Sequence, residues 1–180
     1  LSSIQSAILL FVTSYLHLCN VLAPSSVEFS IRWNSEFMKI ARSALVTHSA
    51  MDMYKLVEAV PAYPQFLSWC TATKVHEQDN VSQKASLTVL IAGVRQSFTT
   101  INTLVSGERV EMKLLEGPFR NLQGEWSFVQ LGEDGCKISL ELDFEMTRGP
   151  MAKLFGKGFG KIADRLVEDF CRRAELVYQQ

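Results

Sequence analysis

The chain has 180 residues, of which 47% are hydrophobic and 21% are charged, so it is long enough to bury the core of one domain. Its formal net charge is −1, which excludes a protein that binds nucleic acid or membrane through its overall charge. Any such role must therefore depend on a local patch of charged residues.

The cysteines and histidines do not have the spacing of a metal site. Cys19, Cys70, Cys136 and Cys171 are far apart, and the three histidines are equally scattered. A zinc site needs clustered ligands, so we predict none. The pattern indicates free thiols in a reducing, cytoplasmic compartment.

Residues 1–37 form a distinct N-terminal stretch. The first 27 residues contain no charged side chain, and the apolar run over residues 4–23 is interrupted by several polar ones. The run is marginal for a membrane-spanning helix and lacks the basic start of a secretory signal. Three interpretations stay open: natural translation from Met38 after a non-native extension, a membrane anchor or uncleaved signal, or an accessory helix. We predict one domain over residues 38–180.

The first predicted elements of this domain are a strand over residues 39–46 and a helix that begins near Ser49. Apolar residues between Met51 and Val60 recur at roughly helical spacing. Pro61 and Pro64 end the helix. An aromatic turn over residues 63–70 follows.

From residue 72 to residue 146 the hydrophobic period changes to two. Several runs alternate apolar and polar side chains, and the last run, from Ile138 to Met146, is the most regular. Strict alternation is typical of an antiparallel sheet with one buried and one solvent-facing surface. Short turns such as Gly117-Pro118 predict a meander.

After Pro150 the period returns to that of a helix. Apolar residues between Met151 and Val177 fill one side, and most lysines and arginines fill the other. We predict one helix over residues 151–178, about 40 Å long. Only a curved sheet could cover so long an apolar stripe, so the predicted class is α+β, with the sheet wrapped around this helix.

Three glycines interrupt the helical pattern at Gly156, Gly158 and Gly160. Each costs about 1 kcal/mol relative to alanine in a helix, and their spacing is not that of a phosphate-binding loop. Either the helix begins after Gly160, or its first turns approach the sheet closely or move. We favour a mobile entry segment over a cavity, with simple close packing as the alternative.

No residue has the surroundings that catalysis requires. His48 and His76 lie in no nucleophile motif, and we predict both to be exposed to solvent. Cys70 is predicted to be a small buried apolar residue. We therefore predict no catalytic residue and no required cofactor.

The polar side of the C-terminal helix predicts a basic surface. No acidic residue lies between Glu145 and Asp164, and the i, i+4 spacing of three lysines places them in one line. This surface is either a solvated helix face or a contact with the phosphates of anionic lipid or RNA. Its candidate residues are Arg148, Lys153, Lys157, Lys161 and Arg165.

The predicted interior is rich in aromatic side chains, since 11 residues of the chain are phenylalanine. It is either an ordinary core or the lining of an apolar ligand cavity, which a sheet curved around one helix tends to leave. Thr100 and Asn102 would then orient the ligand. The candidate cavity residues are Phe66, Trp69, Phe98, Thr100, Asn102, Trp126, Phe128, Phe144, Phe155, Phe159, Ile162, Leu166 and Phe170.

Six sequence blocks occur together between residues 38 and 178. They are residues 63–70 (YPQFLSWC), residues 98–102 (FTTIN), residues 115–119 (LEGPF), the series Leu122, Gly124, Trp126 and Phe128, residues 142–145 (LDFE), and the helix from Phe155 to Phe170. In this order they resemble the RatA group of bacterial ribosome-association toxins, close relatives of the mitochondrial coenzyme Q-binding proteins. Ser68 departs from the pattern, since proline is expected there.

The resemblance implies a helix-grip fold of the START and Bet v 1 type, in the polyketide cyclase superfamily. It implies a non-enzymatic protein whose cavity binds a polyprenyl quinone such as ubiquinone in support of respiration. The alternative is a toxin, as in a toxin–antitoxin system, that binds the large ribosomal subunit and blocks subunit association. The basic surface would then contact either the anionic inner membrane or ribosomal RNA. A cyclase-like enzyme would need an acid–base residue in the cavity, and none is evident.

Overall fold

The computed structural model describes residues 37–133 and 135–178. The interpretations of residues 1–36 lie outside these ranges, and Phe37 is the first residue of β1. The elements are β1 (Phe37–Val46), α1 (Ala50–Glu58), a 3₁₀ helix (Val60–Gln65), β2 (Cys70–Gln78), β3 (Ser82–Ile91), β4 (Val94–Val105), β5 (Arg109–Glu116), β6 (Phe119–Leu131), β7 (Gly135–Met146), α2 (Pro150–Ala163) and α3 (Leu166–Val177).

The seven strands form one antiparallel sheet in the order β1-β7-β6-β5-β4-β3-β2. Strands β2 to β7 follow one another as a meander, while β1 pairs with the last strand, β7. Along β7 every second residue from Cys136 to Met146 is buried. The predicted α+β class and the two-faced antiparallel sheet are therefore confirmed.

Local sequence explains where two of these elements begin and end. Ala92 and Gly93 form the turn between β3 and β4 with φ values of 50° and 78°. Two positive φ values give a type I′ turn, whose twist matches that of the flanking strands.

Ser49 caps α1, because its Oγ accepts a hydrogen bond of 3.1 Å from the Asp52 N–H. The helix start predicted near Ser49 is confirmed.

The prediction of one continuous C-terminal helix is wrong. The helix is interrupted at Asp164 and Arg165, where the Arg165 N–H donates to the Ile162 carbonyl, three residues back instead of four. Asp164 also forms an ion pair with Arg42 of β1. The apolar face nevertheless continues through the break. Its buried residues are Phe155, Phe159, Ala163, Val167, Phe170 and Ala174.

The three glycines lie inside α2, which begins before them, at Pro150. A Cβ atom on each would overlap with a side chain of the sheet: Gly156 with Met146, Gly158 with Ile91, and Gly160 with Met38. Because glycine has no side chain, the backbone of α2 can approach the sheet closely. Close packing therefore accounts for the glycines, and the mobile entry segment that we favoured is not needed.

Replacing Gly158 with alanine should lower the free energy of unfolding by about 1 kcal/mol. The change gains about 1 kcal/mol of helix propensity but forces a methyl group into a packed interior, which costs about 1–3 kcal/mol. Ile91 cannot yield easily, because its side chain is branched at Cβ and only 3% exposed. Urea unfolding measures the change.

Gly160→Ala is the matched control for this variant. The obstructing atoms there are the flexible end of Met38, which can move aside. This variant should be as stable as the parent chain or more so. Equal stabilities of the two alanine variants would contradict a close approach at Gly158.

Candidate functional site

An apolar cavity lies between the inner face of the sheet, the 3₁₀ helix and the break between α2 and α3. Nine of the predicted cavity residues line it: Trp69, Phe98, Thr100, Asn102, Trp126, Phe159, Ile162, Leu166 and Phe170. Nine further lining residues are not predicted from the sequence: Val60, Tyr63, Leu67, Leu87, Met112, Leu122, Leu140, Leu142 and Ala163. Several of these belong to the alternating strand pattern, which identifies an inward face but not the part of it that borders open space.

Phe144 and Phe155 lie outside this lining, in a cluster that packs the first half of α2 against the sheet. Both rings approach Phe119 edge-on, with centroid distances of 6.0 and 6.1 Å. The two residues are 0% and 1% exposed, respectively. Each edge-on pair adds about 0.5–1.5 kcal/mol to the stabilisation from burial. At this end of α2 the aromatic side chains fill the interior.

Phe66 and Phe128 also lie outside the lining. Phe128 packs edge-on against Tyr54 of α1, with ring centroids 5.9 Å apart. Phe66 packs edge-on against Phe170, with ring centroids 5.2 Å apart, and the Arg173 guanidinium lies 5.4 Å from the centroid of the Phe66 ring. These rings hold α1 and the aromatic turn in place around the cavity.

The cavity is narrow in this structure. Its volume is about 80 Å³. Small-molecule sites usually measure roughly 300–1,000 Å³. A ligand with an aromatic ring therefore requires the lining side chains to move apart.

Among the described residues that line the cavity, Tyr63 is the one with an ionisable side chain. Its hydroxyl donates a hydrogen bond of 2.5 Å to the Val57 carbonyl. Burial is the main reason why the pKa of Tyr63 is raised well above its ordinary value. The described lining residues thus contain no group that could exchange a proton near neutral pH. In the described ranges no three His, Cys, Asp or Glu side chains are grouped to hold a metal ion.

The two described histidines lie away from the cavity lining. His76 is exposed, and its Nε2 lies 2.7 Å from the Ser86 hydroxyl. The His48 side chain is only 11% exposed, and its Nε2 lies 3.4 Å from the Glu175 carboxylate. The prediction that His48 is solvated is therefore wrong, because α3 packs beside the start of α1.

A chain of amide groups leads from the cavity to the protein surface. Asn102 Nδ2 donates to Gln83 Oε1 over 3.1 Å. Gln83 Nε2 donates to the Glu58 main-chain carbonyl at 3.0 Å and to Gln78 Oε1 at 3.1 Å. Gln78 Nε2 donates to the Glu58 carboxylate at 3.1 Å. Gln83 is not among the predicted site residues, although it lies two residues before Ala85 on the same inward face of β3.

Two buried polar atoms at the cavity have no hydrogen-bond partner among the described residues. They are Asn102 Oδ1, an acceptor, and Trp69 Nε1, a donor. Both residues belong to the cavity lining. An unpartnered buried polar atom costs about 1–3 kcal/mol. A ligand that supplies the complementary groups would recover this cost.

The predicted basic residues all lie on the surface. Arg148, Lys153, Lys157, Lys161 and Arg165 are exposed, and none of them takes part in an ion pair with the described residues. The exposed Leu154 lies among them on α2. Within the described part of the chain, every helix is too short or too polar to span a membrane.

A curved antiparallel sheet that holds C-terminal helices against a cavity defines the helix-grip fold. The crystal structure of the Zhui aromatase/cyclase from Streptomyces shares this architecture with a TM-score of 0.69, at 15% identity, over 77% of this chain and 94% of that one. The predicted fold is therefore confirmed. At this level of identity the likeness concerns the fold alone.

Sequence comparison gives the family. The profile of the polyketide cyclase/dehydrase and lipid transport family matches residues 46–171. The ribosome association toxin RatA of Pseudomonas aeruginosa is 44% identical over 140 residues, which cover 77% of this chain and 96% of that protein. The mitochondrial coenzyme Q-binding protein coq10 of Schizosaccharomyces pombe is 26% identical over 148 residues, 76% of this chain and 87% of that protein. The chain belongs to the polyketide cyclase/dehydrase and lipid transport family. The predicted resemblance to RatA and the coenzyme Q-binding proteins is confirmed.

We expect the thiol of Cys70 to be unreactive in the folded protein at pH 8. Burial, more than any other cause, raises its pKa to about 11, so the nucleophilic thiolate is scarce. Iodoacetamide labelling followed by peptide mass spectrometry should show slow modification of Cys70 in buffer and fast modification in urea. Fast labelling of the native chain would contradict the assignment of Cys70 as an inert core residue.

Proposed function

We propose that this protein is a non-enzymatic carrier that binds a polyprenyl quinone in the cavity and so supports respiration. The observation that carries the proposal is the composition of the lining. As far as the structure describes the chain, the lining is largely apolar, has no group that titrates near neutral pH, and includes two unpartnered polar atoms, on Asn102 and Trp69. Few polar groups in an apolar pocket are typical of a site that orients a ligand without reacting with it.

The apolar lining would supply most of the affinity. Burying apolar ligand surface gains about 25 cal/mol per Å², and part of that gain is spent on opening the narrow cavity. The break at Asp164 and Arg165 favours the opening, because Ile162 and Leu166 on its two sides both border the cavity. The isoprenoid tail of the quinone would then lie between the sheet on one side and α2 and α3 on the other.

The named relatives support binding rather than catalysis. One is named as a toxin and another as a coenzyme Q-binding protein, whereas the solved structure described above is an aromatase/cyclase. A cyclase needs groups that donate and accept protons at its substrate. The ionisable group found among the described lining residues, the Tyr63 hydroxyl, donates its hydrogen to a main-chain carbonyl.

Leu166→Glu should abolish quinone binding, because it places a charge beside the ligand's apolar tail. Leu166 is half-buried, so the fold should tolerate the change better than a charge at Phe159, which is 5% exposed. The full chain, purified without detergent, is extracted and its lipids are quantified by mass spectrometry. The parent chain should carry a polyprenyl quinone in stoichiometric amount, and the variant should carry none.

Leu154→Glu is the matched control, since Leu154 lies on α2 but is 47% exposed. It should retain the quinone. Equal loss in both glutamate variants would point to a general effect of the charge. Full retention in Leu166→Glu would overturn the cavity as the binding site.

A second candidate function is association with the large ribosomal subunit. It is favoured by the RatA relative, which aligns over nearly its whole length, and by the exposed line of Lys153, Lys157 and Lys161 on α2. In this proposal the lysines contact phosphates of ribosomal RNA. In the carrier proposal the same surface makes a peripheral contact with the anionic inner membrane.

Changing Lys153, Lys157 and Lys161 to glutamate should release the protein from large ribosomal subunits in low salt. Because each phosphate contact releases counterions, the loss of three lysines should also lower the salt dependence of binding, by a log–log slope of about 2–3. Co-sedimentation over a salt series measures both effects. Lys74, Lys113 and Lys137, which are exposed on strands, provide a matched triple control. Retained binding by the α2 triple variant would exclude this surface.

A further inference from the structure

The polarity of the amide chain behind the cavity is fixed from its outer end. The main-chain carbonyl of Glu58 can only accept a hydrogen bond, so the Gln83 atom 3.0 Å away must be the amide nitrogen. The second hydrogen of this nitrogen is donated to Gln78 Oε1. Gln78 is held in that orientation because its own amide nitrogen faces the Glu58 carboxylate. Gln83 therefore cannot be turned over without losing both of its donor contacts.

This fixed orientation determines which atom Asn102 leaves free. Gln83 Oε1 accepts, so the Asn102 atom 3.1 Å from it must be Nδ2, a donor. Asn102 Oδ1 then stays without a partner among the described residues. Asn102 is 5% exposed and lines the cavity. Contacts with Glu58, Gln78 and Gln83 thus hold an unpaired acceptor at a largely apolar site.

We infer that the cavity selects the reduced, hydroquinone form of its ligand over the oxidised quinone, and that Asn102 is the residue that discriminates. The inference rests on the proposed carrier function. A hydroquinone presents hydroxyl groups that can donate to Asn102 Oδ1. A quinone has only acceptor oxygens, so it would displace any water from Oδ1 without replacing its hydrogen bond.

Trp69 does not contribute to this selection. Its Nε1–H can only donate, and the oxygens of both ligand forms can accept from it. Thr100 does not discriminate either, because a hydroxyl can donate or accept. Of the two unpartnered polar atoms among the described lining residues, Asn102 Oδ1 is thus the one that only the hydroquinone can satisfy.

The test compares three probes on the full chain under anaerobic conditions: a short-chain ubiquinone analogue, its hydroquinone, and the dimethyl ether of that hydroquinone. Quenching of tryptophan fluorescence gives the dissociation constants, since Trp69 and Trp126 line the cavity. The hydroquinone should bind about tenfold more tightly than the quinone. The ether, which has no hydrogen to donate, should bind no more tightly than the quinone.

Two variants test the mechanism of selection. Asn102→Leu should reduce the ratio of the hydroquinone and quinone affinities to about one, because the unpaired acceptor is gone. Gln83→Met should reduce this affinity ratio to about two or less, because the Asn102 amide can then turn either its oxygen or its nitrogen to the ligand. Thr103→Val, next to Asn102 on β4 but on the exposed face of the strand, is the matched control and should keep the tenfold preference. Thermal unfolding checks that each variant is folded.

The outcomes separate this inference from the proposed function. Equal affinity of the parent chain for quinone and hydroquinone would overturn the selection while leaving the carrier function in place. Failure to bind any of the three probes would overturn both. A preference that survives in Asn102→Leu would assign the discrimination to another group and so contradict the role of Asn102.

Discussion

The distance between the C-terminal helices and the inner face of the sheet is the constraint on which the rest of the structure depends. Around Gly156, Gly158 and Gly160 the backbone of α2 touches side chains of the sheet, and nothing more can fit between them. Around the helix break, larger side chains such as Ile162, Leu166 and Phe170 line the cavity. The glycine segment therefore fixes α2 against the sheet, and the cavity lies among the larger inward-facing side chains.

The buried polar residues follow from the same arrangement. Gln83 and Asn102 are 1% and 5% exposed in an otherwise apolar interior, where polar groups are costly unless they are hydrogen-bonded. Gln83 is fully engaged, whereas Asn102 keeps one atom free at the cavity. The hydrogen-bond network is thus complete at the surface and lacks one partner at the cavity. Buried polar groups are normally hydrogen-bonded, and exceptions to such rules are expected at functional sites.

The two proposed functions use opposite sides of α2. Phe159 and Ile162 face the cavity, while Lys157 and Lys161 face solvent. Quinone binding and a contact with RNA or membrane phosphates are therefore compatible in one molecule. The chain is similar both to a relative named for ribosome association and to one named for coenzyme Q binding, so the family includes proteins named for each of the two proposed functions.

The sequence by itself determined the α+β class, the antiparallel sheet and the amphipathic C-terminal segment, because the periods of two and 3.6 record which side chains face inward. The helix break could not be read in this way, since the step at Arg165 preserves the i, i+3 and i+4 spacing of the apolar side chains. Likewise, periodicity marked Phe144 and Phe159 as equally inward, but only the latter borders the cavity. The tertiary structure also decided the orientation of Asn102, because that orientation is fixed by the carbonyl of Glu58, which folding brings to Gln83 from a distant part of the chain.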